Sequence, residues 1–310
     1  MKKKISIVIP AFNEQGSISD LLSKIKSECN VYNYKNIEVI CVDDGSSDNT
    51  AKIAEKKLKE LKIKSKILSF KTNHGKSAAL NEGFNNASGD IIITMDADLQ
   101  DDPKEIVNFV NKIEEGFDLV SGWKFIRNDP LSKTIPSKFF NFITSKVSGI
   151  RLHDFNCGFK AYTKDLAKEL NLYGEHHRYI PIISHNLGYK ITEIKVKHHP
   201  RKYDSSKFGI ERYLRGFFDL FTVLFLNNYK SRPLHLFGSI GLLFICLGFI
   251  IEFYLVFKWF LGFQIGMRPL FFLGILLLIV GIQSFFFGLI GEMIARKNNI
   301  NVKYSIKKVY

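Results

Sequence analysis

A doubly wound α/β domain followed by two membrane-crossing helices is the fold class that this 310-residue chain predicts. Three features predict it. Short β-branched runs alternate with helical segments throughout the sequence before Lys195. Acidic residues gather directly behind several of those runs. Apolar residues make up 46% of the chain, 28 of them Phe, and they are densest in its last quarter.

In chain order, Ile5–Ile9, Ile37–Val42, Lys66–Phe70, Ile91–Met95 and Leu119–Val120 read as strands. Segments 17–30, 48–61, 76–87 and 103–115 read as helices. Strand and helix in alternation, with strands apolar almost throughout, imply a sheet buried on both faces. Ligands of such sheets bind beyond the carboxyl ends of the strands, so chemistry is expected in the residues that follow each one. The expected layout is a soluble domain over 1–200, a basic juxtamembrane region over 201–232, spans over 233–257 and 269–291, a loop over 258–268 between them and a tail over 292–310.

Only His235 and Glu252 can carry charge near neutral pH between Arg232 and Lys258, and nothing can between Arg268 and Glu292. Each stretch therefore suits a helix of roughly 20 residues crossing a hydrocarbon core of about 30 Å. Glu252 is placed near the outer interface. The formal charge of +14 asks for an anionic partner. Lys195 to Arg232 carries nine Lys/Arg against three acids, and Arg296, Lys297, Lys303, Lys307 and Lys308 follow the second span. Basic flanks on apolar spans fit membrane lipids and a cytoplasmic location for domain and tail, and no nucleic-acid recognition module is found. Phe208–Tyr229 mixes Arg212, Arg215 and Asp219 with Phe217, Phe218, Leu220, Phe221 and Leu224, the pattern of an amphipathic helix on the membrane surface.

Several classes are excluded. Met1-Lys2-Lys3-Lys4 resembles the start of a secretory signal, but the apolar run behind it stops at Pro10. Cys29, Cys41, Cys157 and Cys246 form no C-x-x-C pair, which argues against zinc and a disulfide framework and for buried, reduced thiols. Neither G-x-G-x-x-G nor a P-loop is present.

Pro10-Ala11-Phe12-Asn13-Glu14 follows the first strand, Asp43-Asp44-Gly45-Ser46-Ser47-Asp48 the second, and Asp96-Ala97-Asp98-Leu99-Gln100 the fourth. If the backbone stays extended, Asp96 and Asp98 point the same way and share one cation. Hard oxygen ligands favour Mg2+ or Mn2+, whose remaining positions a substrate diphosphate completes. His176, His177 and Arg178 read as surface or supporting polar residues, since no further ligands stand at metal spacing.

These runs, with Leu152-His153-Asp154-Phe155-Asn156-Cys157-Gly158-Phe159-Lys160-Ala161-Tyr162, His177-Arg178-Tyr179-Ile180-Pro181 and the two spans, resemble the family 2 glycosyltransferases of the GT-A fold. More narrowly they resemble the polyprenyl-phosphate glycosyltransferases. The resemblance implies a nucleoside pocket lined by Pro10, Phe12, Glu14, Asp43 and Asp44, and a metal held by Asp96, Asp98 and Gln100. It implies an acceptor-phosphate site at Lys124, Lys133 and Ser137, with Arg127 as a further candidate. Arg201, Ser206 and Lys207 match an R-x-x-G-x-S-K loop that closes over the donor diphosphate, with Asp204 in place of its glycine.

The implied reaction moves a sugar, with inversion, from a UDP- or GDP-sugar to a polyprenyl monophosphate. Asp98 with its metal, Arg201 and Lys207 would stabilise the departing diphosphate. A phosphate monoester is already anionic, its second pKa being about 6, so no strong general base is required. Two rivals stand beside this reading. A processive polysaccharide synthase would carry a Q-x-x-R-W motif and more spans, and a lipid-binding scaffold would not need the aspartates. The sequence leaves the oligomeric state open: two spans offer little packing within one copy, and a homo-oligomer would bury more of them.

Overall fold

The computed structural model describes residues 3–34, 36–125, 141–142, 144–146, 148–200, 225, 229, 232–264 and 269–299. They divide into two compact units, residues 1–223 and 224–310.

The first unit is built on seven strands: β1 (Ile5–Ala11), β2 (Ile37–Asp43), β3 (Lys64–Ser69), β4 (Ile91–Thr94), β5 (Leu119–Lys124), β6 (Lys160–Thr163) and β7 (Ile191–Val196). Their order is β3-β2-β1-β4-β6-β5-β7. β1 pairs in parallel with β2 and β4, with Ile7 opposite Val39 and Ile93. β6 runs antiparallel to both β4 and β5, and β7 is parallel to β5. The interior strands β1, β2 and β4 are buried on both faces as the sequence implies. β3 is the exception: an edge strand whose Lys64, Ser65 and Lys66 stay in solvent, a composition that protects a sheet edge from stray pairing.

Alternation along β1 sends Ile5, Ile7 and Ile9 to one face and Val8 to the other. The first face is covered by α1 (Ile18–Val31), α2 (Thr50–Glu60) and α4 (Ile106–Glu114), through Leu21, Leu22, Ile25, Leu58, Phe109 and Ile113. The second is covered by α3 (Lys76–Asn86), α5 (Lys164–Glu169) and α6 (Ile180–Asn186), through Leu80, Phe84, Leu166 and Ile180. Helix α1 shows why these segments fold as they do. Its apolar residues recur at Ile18, Leu21, Leu22, Ile25 and Cys29, one stripe at helical period. Ser17 at its start hydrogen-bonds Glu14 through Oγ (2.7 Å), and Asn33 just past its end takes a left-handed φ of 54°. Each buried Leu on such a stripe contributes about 1.5–3 kcal/mol.

The second unit is a helical hairpin of α7 (Pro233–Phe260) and α8 (Pro269–Asn299). Both helices are long and apolar enough to cross a membrane, α8 over Pro269–Ala295, and few of their residues are buried. A soluble core helix would be covered. Glycines make the contact between them: a Cβ on Gly241 would lie 2.6 Å from the carbonyl of Gly281, and one on Gly248 would lie 3.0 Å from that of Gly274. Gly274, Gly281 and Gly288 are one heptad apart, so a single stripe of bare backbone runs along α8 and lets α7 approach closely. Phe249, Phe253, Phe272 and Phe286 are left facing outward.

Candidate active site

The carboxyl edge of the sheet is assembled from loops that hold one another. Beyond β1, Asn13 has a φ of 53°, a conformation that Asn tolerates better than most residues. Its N–H donates to Ser46 Oγ (2.8 Å), its Oδ1 accepts from the N–H of Ser47 (2.8 Å), and the N–H of Glu14 donates to Thr50 Oγ1 (2.8 Å). The exits of β1 and β2 are thereby laced together, with the Phe12 ring 36% exposed between sheet and solvent.

Beyond β2, both predicted aspartates are buried and engaged. Asp43 accepts from the N–H of Ser46 (3.1 Å) and from Ser69 Oγ (3.0 Å). Asp44 accepts from the N–H groups of His74 (2.7 Å) and Gly75 (2.9 Å). Burial raises the Asp44 pKa above the usual carboxylate value, although both N–H donors pull the other way. Asp44 thus anchors the loop between β3 and α3, and that loop crosses directly over Gly45. A Cβ there would stand 2.5 Å from the carbonyl carbon of Thr72, and the φ of 72° is itself a glycine conformation.

Beyond β4 the backbone does not stay extended, which corrects the premise on which Asp96 and Asp98 were expected to point the same way. The strand ends at Thr94, Ala97 and Asp98 lie in a turn, and Leu99 adopts a φ of 62°. Asp98, largely buried, accepts from the N–H of Gln100 (3.2 Å). The carboxylate of Asp96 is ion-paired with the ammonium of Lys76, the first residue of α3. Asp101, 2% exposed, faces Lys124 from the end of β5 at 3.7 Å, and its Oδ1 has no hydrogen-bond donor among the described residues.

Three carboxylates and two ammonium groups therefore meet at one sheet end, and the pKa values of Asp96 and Asp101 are driven apart. Burial opposes the charge on Asp96, yet the Lys76 ammonium, with Lys124 behind it, overcomes this and holds its pKa below the usual range. Burial raises Asp101, Lys124 offsets part of this, and the neighbouring Asp96 and Asp98 raise it further. Lys124 loses solvation too, but Asp101 and Asp96 keep its pKa above the ordinary lysine value. Such divergence among neighbouring groups is typical of functional sites.

His177 and its neighbours are not surface residues. His176 and Arg178 are buried, Arg178 donates to Glu175 (2.7 Å), and His177 meets Ser77 Oγ through Nδ1 (3.1 Å) and through its N–H (3.0 Å). Burial, with Lys76 and Arg178 nearby, keeps the His177 pKa well below its ordinary value, so it is neutral at pH 7. The Gln100 amide is turned toward His198 Nε2 (3.3 Å) and the carbonyl of His199 (3.4 Å). The N–H of His199 returns a bond to the Gln100 carbonyl (2.8 Å), which ties the end of the segment after β7 to the loop that carries the aspartates.

Among the expected site residues, Pro10, Phe12, Glu14, Asp43, Asp44, Asp96, Asp98, Gln100 and Lys124 follow β1, β2 and β4 or belong to the ends of β1, β2 and β5. Arg127, Lys133, Ser137, Arg201, Ser206 and Lys207, with Asp204, lie outside the described residues. The amphipathic segment Phe208–Tyr229 does too, apart from Phe225 and Tyr229. Lys76 escaped the sequence reading although it obeys the same rule, standing at a helix start behind β3. Of the four cysteines, Cys29, Cys41 and Cys157 are buried as expected, while Cys246 is exposed on α7.

An open, mostly parallel sheet with carboxylates and lysines massed at its carboxyl edge has the layout of an α/β protein that binds its ligand beyond the strand ends. The chain belongs to glycosyl transferase family 2, which it matches over residues 6–170. It is 37% identical to dodecaprenyl-phosphate galacturonate synthase of Rhizobium johnstonii, over 99% of this chain and 93% of that one. It is 33% identical to undecaprenyl-phosphate 4-deoxy-4-formamido-L-arabinose transferase of Yersinia enterocolitica, over 99% and 94%. Among solved structures, glucosyl-3-phosphoglycerate synthase of Mycobacterium tuberculosis, in complex with Mn2+, UDP and phosphoglyceric acid, shares the fold with a TM-score of 0.57 at 18% identity, over 73% of this chain and 78% of that one. The same synthase with Mg2+ and UDP gives 0.54 at 19%, over 73% and 79%.

Proposed function

We propose that the chain transfers a sugar, with inversion, from a nucleotide-sugar to a polyprenyl monophosphate at the cytoplasmic surface of a membrane that α7 and α8 cross. The observation that carries this reading is the joining of two things in one chain. An edge of carboxylates and lysines stands on a family 2 glycosyltransferase sheet, and a glycine-seamed apolar hairpin follows it. Relatives that match along nearly the whole chain are named for polyprenyl-phosphate sugar transfer, which supports the same acceptor class.

Phe12 offers a ring face for the nucleoside, with Pro10, Glu14, Asp43 and Asp44 around it. Asp43 and Asp44 serve by holding the loops of that pocket, since the oxygens of both carboxylates accept bonds from neighbouring loops. The donor set at the β4 exit fits Mg2+ or Mn2+: Asp96 and Asp98 provide hard oxygens, and an ion there would share the Asp96 carboxylate with the Lys76 ammonium. Among the described residues no three His, Cys, Asp or Glu side chains form a ready cage. Asp96 and Asp98 would hold the ion with Gln100 beside them, and when bound it would offset charge on the departing diphosphate. Arg201, Ser206 and Lys207 would close over that diphosphate.

Lys124, Arg127, Lys133 and Ser137 would position the acceptor phosphate and screen it from the donor. The acceptor needs no deprotonation, and His177 is not called upon as a base. The basic clusters before and after the hairpin seat the cytoplasmic domain on anionic headgroups. The outward Phe faces of α7 and α8 would meet lipid and a second copy of the chain, forming a homo-oligomer.

The test is to incubate the purified full-length chain with polyprenyl phosphate, labelled UDP- and GDP-sugars, and Mg2+ or Mn2+, then extract with organic solvent. A labelled sugar lipid with at least one donor is expected. Its absence with every donor would overturn the reading.

A further inference from the structure

Gly158, the last residue of the loop Asp154–Gly158, lies against the Lys76–Asp96 pair, and two observations explain its placement. The first is Gly158. A Cβ at this position would stand 2.6 and 2.7 Å from the two carboxylate oxygens of Asp96 and 2.7 Å from Lys76 Nζ. Its φ lies outside the left-handed range, so glycine is needed here for close approach and not for a turn. The carbonyl of Gly158 is itself fixed by Thr94 Oγ1 (2.7 Å), from the last residue of β4.

The second is Lys160, 2% exposed at the start of β6. Its ammonium donates to the carbonyl of Phe155 (3.2 Å) and to that of Cys157. Burying a charge is costly, and among the described residues no carboxylate forms an ion pair with this one. The carbonyls it gathers belong to the loop that ends on Gly158. Asp154 closes the other end, accepting from the N–H of Asn156 (3.1 Å), while its carbonyl accepts from Ser121 Oγ (3.4 Å).

We propose that this loop, stapled by Lys160, is a positioning element of the transfer reaction. The bare Cα of Gly158 is the wall that keeps the Lys76 ammonium seated on Asp96, and it thereby sets the direction of the carboxylate that meets the donor. Gly158 and Lys160 are positioning residues acting through Lys76 and Asp96. The inference rests on Asp96 lying in the donor site, as proposed above.

The test uses the purified full-length chain and two readouts. Acetylation by an N-hydroxysuccinimide ester, followed by mass spectrometry, measures how freely the Lys76 amine reacts, with Lys57 and Lys59 as internal references. Gly158→Ala is expected to speed Lys76 acetylation about five-fold by unseating it from Asp96. Turnover is expected to fall at least ~10-fold, with the KM for polyprenyl phosphate steady within about three-fold and the melting temperature nearly unchanged. Lys160→Met is expected to move both readouts in the same direction, and Lys160→Arg to restore part of each.

Unchanged Lys76 reactivity in Gly158→Ala would overturn the proposal, and so would raised reactivity with intact turnover. Turnover loss that merely tracks loss of folded protein in both variants would overturn it as well. A wild-type chain inactive with every donor would instead sink the transfer reading, while the acetylation pattern would still decide whether Gly158 seats Lys76.

Discussion

The two ends of the sheet treat buried carboxylates in opposite ways. At the foot, near the amino ends of the strands, Glu38 is 3% exposed. It accepts from Ser6 Oγ (2.5 Å), from the N–H (2.7 Å) and Oγ (2.7 and 2.8 Å) of Ser88, and from Lys4 (3.1 Å). Burial opposes its charge, but the Ser6, Ser88 and Lys4 donors win and bring its pKa to about 2. At the head, Asp101 is as deeply buried, yet among the described residues one of its oxygens meets no hydrogen-bond donor, and its pKa is raised. A carboxylate satisfied on every side stabilises the fold. One left partly unsatisfied beside other carboxylates costs stability, as is common where a site serves function rather than the fold. Structure is secured at the foot so that charge can be concentrated at the head.

The largest expected effect lies at the head. Asp98→Asn should lower turnover at least ~100-fold, the scale of losing a key electrostatic contact to a developing charge. Its melting temperature should stay near that of the wild type. Full turnover in this variant would break the contrast. Glu38→Ala should do the reverse. It strands Ser6 and the Ser88 N–H and should cost about 1–3 kcal/mol in denaturant unfolding, while kcat of the folded fraction is unchanged.

Acid titration sharpens the comparison, because the two groups have opposite signs. The Glu38 pKa is depressed, so its contribution is present above the unfolded value near 4.5 and is lost as pH falls toward about 2. Glu38→Gln should lack that loss of stability. The Asp101 pKa is raised, so the wild type is penalised as pH climbs through it. The stability of Asp101→Asn relative to wild type should therefore improve with rising pH, read as melting temperature across a pH series. The smallest effect belongs to neither end. Lys59 pairs with Glu55 on the exposed face of α2, and Lys59→Ala should change stability by no more than ~0.5 kcal/mol.

Much of this contrast is written in the sequence, unevenly. The alternation of apolar runs with helical stripes located β1, β2, β4 and their helices, because those strands are buried on both faces and leave long unbroken signals. β6 and β7 were missed: Lys160-Ala161-Tyr162-Thr163 is four residues long with a lysine in it, and Ile191–Val196 is half exposed. The antiparallel insertion of β6 depends on pairing across distant segments, which local pattern does not report. At the site, the rule of looking behind each strand found Asp43, Asp44, Asp96 and Asp98. Applied to β3, the same rule would have found Lys76. Gly158 and Lys160 owe their importance to where a remote loop lands, and Glu38, a charge in an apolar strand, was the signal at the foot that went unread.

The central claim is that the head of the sheet serves sugar transfer to a lipid phosphate. It is tested most directly by reconstituting the full-length chain into liposomes with and without polyprenyl phosphate, supplying labelled nucleotide-sugars with Mg2+ or Mn2+, and following label into the organic phase. The account predicts label there only when polyprenyl phosphate is present, and its loss with Asp98→Asn. Label transferred equally without the lipid phosphate, or none from any donor, would contradict it.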